Sequence, residues 1–74
     1  MRVTYGTGNS YECIPSERGI SNVRELNADR EIQAVLRRPD AVDTVVDGVL
    51  ANDDTVIGDH CVVKYTSKAS ENNS

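Results

Sequence analysis

Asp40-Ala41-Val42-Asp43-Thr44-Val45-Val46-Asp47-Gly48-Val49-Leu50-Ala51 is the stretch whose reading decides the fold. Val42, Val45, Val46, Val49 and Leu50 fall at i, i+3, i+4, i+7 and i+8, the spacing of one apolar helix face. Pro39 can open such a helix and Asn52 can end it. The rival reading is a strand or hairpin turning at Asp47-Gly48, favoured by the β-branched content and by Gly48. The helix is preferred because strict alternation fails at Val45-Val46. On that reading Asp40, Asp43 and Asp47 line its exposed side.

Before this stretch, Asn27 to Arg38 reads as a helix. Asn27 serves as N-cap, Asp29 and Glu31 occupy the first turn, and Arg37 and Arg38 the last, matching the helix dipole at both ends. Pro39 stops it. Ala28, Ile32, Val35 and Leu36 form its apolar stripe. Ile20, Val23 and Leu26, spaced by three, allow a short helical turn ahead of it, and an extended segment over Ile20 to Arg24 is the equal alternative.

Val3 to Ile14 reads as a hairpin. A three-residue loop at Thr7-Gly8-Asn9 pairs Val3 with Cys13 and Tyr5 with Tyr11, which keeps all four on one face. Gly8 or Asn9 then supplies the positive φ. Downstream of the deciding stretch, Thr55 to Thr66 reads as strand, with a break at Gly58-Asp59. Cys61, Val63 and Tyr65 alternate inward, and His60, Val62 and Lys64 outward. Ser67 onward has nothing to bury and is expected to be disordered.

The expected fold is therefore α+β, in the order β-β-α-(α or β)-β. A small antiparallel sheet, made of the N-terminal hairpin and a C-terminal strand or hairpin, packs against one or two short helices. Residues 1–66 make one domain and 67–74 a tail. A core of aliphatic residues with three tyrosines and no Phe or Trp is small for independent stability, so a homodimer is an open alternative.

The chain of 74 residues carries a formal charge of −4, against a nucleic-acid role driven by overall charge. The charge is uneven. Five acids and six arginines nearly balance up to Arg38, whereas seven acids against Lys64 and Lys68 follow it. Arginine exceeds lysine and aspartate exceeds glutamate, a bias that a halophilic source would explain. No stretch approaches a membrane span and no apolar leader opens the chain. A cytoplasmic setting, with Cys13 and Cys61 as free thiols, is the resulting expectation.

No motif specifies catalysis, a cofactor or a metal. His60 and Cys61 point to opposite sides of a strand, and Gly6-Thr7-Gly8 lacks the rest of a phosphate loop. The chain reads as a non-enzymatic interaction or regulatory module that binds a protein partner through charged surface. Arg30, Arg37 and Arg38 on the first helix, or Asp43 and Asp47 on the second segment, are the residues expected to carry it. Two alternatives are a nucleic-acid contact through Arg24, Arg30, Arg37 and Arg38, and a thiol or metal site at Cys13 and Cys61.

Overall fold

The computed structural model describes residues 1–67. It has five strands, β1 (Arg2–Tyr5), β2 (Asn9–Glu12), β3 (Val42–Val46), β4 (Val49–Ala51) and β5 (Val62–Ser67), and two α-helices, α1 (Val23–Ala28) and α2 (Arg30–Leu36). A 3-10 turn at Pro15–Arg18 leads from the first hairpin to α1. The strands form one sheet in the order β2-β1-β5-β3-β4. The class is α+β, as the sequence indicates. The sheet is mixed, because β5 enters between the two hairpins, parallel to β1 and antiparallel to β3.

Residues 40–51 are not a helix. They form the β3–β4 hairpin, with Val46 paired to Val49 across Asp47-Gly48. Both turn residues have positive φ, 51° at Asp47 and 85° at Gly48. That is the mirror-image turn whose twist matches two antiparallel strands, and Asp-Gly is suited to it. Thr44 and Val46 face the core, while Asp43 and Val45 face the other side. Alternation fails at Val45-Val46 only in composition, because the uncovered side of the sheet also carries apolar residues.

The expected helix over 27–38 is the shorter α2, and the short helical turn expected ahead of it is α1, which takes in Asn27 and Ala28; both have other caps. Asn22 starts α1, its Oδ1 accepting the Glu25 N–H at 2.9 Å. Asp29 starts α2, its Oδ1 accepting from Ile32 N–H at 3.0 Å. Asp29 has an extended ψ of 108°, which breaks the helical run between them. Asn27 is no cap, since its side chain accepts the Tyr65 hydroxyl. Arg37 ends α2 in the left-handed region.

In the first hairpin Val3 pairs with Tyr11 and Tyr5 with Asn9, around Gly6-Thr7-Gly8. The pairing is shifted by two from the expected register, so the same side chains share a face. Positive φ falls at Gly6, not at Gly8 or Asn9. With Asn9 in β2, its Nδ2 donates to the Leu36 carbonyl at 2.7 Å, satisfying an end carbonyl of α2. Ser67 belongs to β5; the rest of the expected tail, 68–74, lies outside the described residues.

Both helices lie on one face of the sheet. Val23, Leu26, Ile32 and Leu36 pack on Val3, Val46, Val63 and Tyr65. Tyr5, Tyr11, Cys13 and Cys61 flank this cluster. Val35, expected in the stripe, is 45% exposed. Burial of each aliphatic side chain contributes roughly 1.5–3 kcal/mol, so these few residues carry most of the stability.

Candidate interaction surface

The four arginines expected to share a face are separated by their partners. Arg24 pairs with Asp54 at 2.9 Å. Arg38 is half-buried, with its guanidinium 4.5 Å from the centre of the Tyr65 ring, and Nη1 donating to the Pro39 carbonyl. Arg30 and Arg37 remain exposed, and among the described residues neither has an ion pair. Arg18, which sequence reasoning passed over, is the most heavily bonded. It donates to Asp29 at 3.0–3.1 Å and to Glu31 at 3.2 Å, and stacks on Tyr11. The Tyr11 hydroxyl also donates to Glu31. This cluster ties the first hairpin to α2.

The aspartate stripe does not exist as a stripe, because its helix does not exist. Asp43 lies on the uncovered sheet face opposite Thr66. Asp47 sits in the hairpin turn, where its Oδ1 accepts the Val62 N–H at 2.8 Å and its own N–H donates to the Val62 carbonyl. It fastens the β3–β4 turn to β5. Asp53 and Asp54 follow β4 in an exposed turn.

What the structure does bring together is an apolar strand inside an acidic rim. β4 is an edge strand. Val49 is 68% exposed and Leu50 69%. On the uncovered face Leu50 lies beside Val45, and Val45 beside Lys64; Val62, 52% exposed, is on the same face next to Arg2. Asp43 is two residues from Val45 on the same face, and Asp47 and Asp53 lie in the chain just before and after β4. From Asp40 to Val63 the chain holds six aspartates and no Lys or Arg.

The backbone of β4 is also unevenly used. A two-residue turn makes Val46–Val49 a hydrogen-bonded pair, so Val45–Leu50 is the non-bonded kind. Leu50 therefore directs its N–H and C=O away from β3, into solvent. The opposite edge differs. On β2 the outward positions are the polar Ser10 and Glu12, and a charged edge resists further pairing. The sequence signal for β4 was the same Val45-Val46 and Val49-Leu50 doublets that resembled a helix face.

The remaining candidates offer less. Cys13 N–H donates to the Met1 carbonyl and Arg2 N–H to the Cys61 carbonyl, so the cysteines flank β1 on either side. Two strand spacings put their Cα atoms roughly 10 Å apart, beyond the ~7 Å a disulfide tolerates. Both are free and half-buried. Burial holds the Cys13 thiol above its ordinary pKa. Among the described residues no three His, Cys, Asp or Glu side chains converge as metal ligands. His60 is exposed, and its neighbour Asp59 is engaged by the Ser16 N–H and hydroxyl at 3.1 and 3.0 Å, which hold its carboxyl below the usual range. An open depression of about 430 Å³ lies at the ends of β1 and β5 and contains Lys64 but no carboxylate or imidazole. Among the described residues no helix is long and apolar enough to cross a membrane.

No family model, curated protein or solved structure matches this chain.

Proposed function

We propose that this chain is a small, non-enzymatic interaction module that docks a protein partner at the β3–β4 hairpin. The observation that supports this most is the pair Val49 and Leu50, two-thirds exposed on opposite sides of an edge strand. Contiguous apolar exposure inside a polar rim is characteristic of interaction sites. Of the two charged surfaces considered from sequence, the geometry favours the aspartate side. Its acids flank exposed apolar residues of β3 and β4 in the chain, whereas on the arginine side Arg38 is folded onto Tyr65 and the exposed Arg30 and Arg37 have no such apolar strand beside them in sequence. The complementary partner is basic around an apolar centre.

Affinity capture from the native host at native salt tests this. Leu50→Lys is expected to lose the captured partner by about tenfold or more, the loss of a hot-spot residue. Arg30→Glu combined with Arg37→Glu should retain it. The reverse pattern would place the interface on α2 and overturn the reading.

A further inference from the structure

We infer that the partner binds by strand addition, an extended basic and apolar segment pairing its main chain with β4. The inference rests on the interaction reading above and adds its mode and ligand class. Leu50 presents both backbone groups outward, as derived from the Val46–Val49 pairing. Main-chain pairing of this kind supplies affinity, and alternate side chains supply selectivity. Leu50 then contacts the incoming segment on the uncovered face and Val49 on the helix side.

Charge decides between the two occupants that fit an edge. A second copy, pairing antiparallel about a two-fold at Leu50, would bring two identical acidic hairpins together, each from a stretch with six aspartates and no Lys or Arg between Asp40 and Val63. Like charges directly opposite are destabilising. Stacking the uncovered faces instead would bring Lys64, at the centre of its cross-strand row, close to its own copy. A segment with Lys or Arg flanking an apolar centre instead complements this acidic stretch, in which Asp53 is exposed just beyond the end of β4.

The test is amide hydrogen exchange with three peptides: one alternating lysine and valine, its glutamate–valine counterpart, and the lysine peptide N-methylated on the edge that would pair. The lysine peptide is expected to slow exchange at the Leu50 amide by at least ~10-fold; the other two should not. Leu50→Pro should abolish the effect, because it removes an outward N–H while sparing the β3 ladder. Persistent protection at Val63 and Tyr65 verifies that variant's fold, and the N-methylated peptide decides the matter on the wild-type chain if proline unfolds it. Equal binding of the N-methylated peptide, with Leu50 exchanging freely, overturns strand addition while the capture result still stands. Equal protection by the glutamate peptide overturns the basic ligand class. Leu50 protection that grows with protein concentration alone assigns the edge to a second copy and overturns the inference.

Discussion

Tyr65→Ala is expected to leave most of the chain unfolded under conditions where the wild type is folded. Tyr65 is 2% exposed and the largest buried side chain. It lies on central β5, and three side chains meet on it. Its hydroxyl donates to Asn27, Gln33 Nε2 donates to that hydroxyl at 3.4 Å, and Arg38 stacks on its ring. Truncating a buried aromatic costs about 3–5 kcal/mol, and domains of this kind have only roughly 5–15 kcal/mol in total, the smaller ones least. The cluster around it is already incompletely satisfied, with Gln33 Oε1 and Arg38 Nε buried without partners among the described residues. Tyr65→Phe keeps the ring and should cost about 1–2 kcal/mol, a lost hydrogen bond with Asn27 left behind. Urea unfolding of the two variants separates the contributions. Equal, small losses would mean that β5 is not the centre of the core.

Asp29→Ala is expected to be the most damaging change outside the apolar core, at roughly 2–3 kcal/mol from a lost N-cap and lost charge-assisted bonds. Asp29 caps α2 and receives Arg18. Its side chain is 14% exposed. Burial raises its pKa, but the Ile32 amide and the Arg18 guanidinium outweigh burial and hold the carboxyl below 3.8. The sign of the pH dependence follows. A carboxyl with a lowered folded pKa contributes stability that is complete above its unfolded value and fades as pH falls through the folded one. Wild-type stability should thus decline below about pH 4. Asp29→Asn, which can still cap, should cost less at neutral pH and show a shallower acid decline. It will not be flat. Ser21 keeps Glu25, and Ser16 keeps Asp59, below the ordinary carboxylate range, in the same direction. An unchanged acid slope in Asp29→Asn would show that the Arg18 contact does not govern the pair.

How legible these features were depended on whether they were local. Inward alternation of Cys61, Val63 and Tyr65 was readable because period 2 needs no knowledge of neighbours. Ile32 and Leu36 were readable for the equivalent reason in a helix. The Asn27 cap was misassigned because Asn22, Asn27 and Asp29 all have capping chemistry, and only Tyr65, 38 residues away, decides what Asn27 does. Parallel insertion of β5 beside β1 is a long-range event with no local signature.

The hairpin at 40–51 is the instructive failure. Periodicity assumes that apolar residues face a core. Val45, Val49 and Leu50 do not, so their spacing imitated a helix. The residues that defeated the pattern are those proposed to meet a partner, consistent with local rules failing where function sets the residue. Arg38 shows the converse. Counted as surface charge, it is a packing residue whose stem and guanidinium cover an aromatic ring.

Among the described residues no strand pairs with the outer edge of β4. Amide hydrogen exchange of the free chain at low concentration tests it at two adjacent residues. Val49, bonded to Val46, should exchange at least ~10-fold more slowly than Leu50, whose N–H points to solvent. A Leu50 amide protected as well as Val49 would mean that the edge is already paired, which contradicts an open β4 edge.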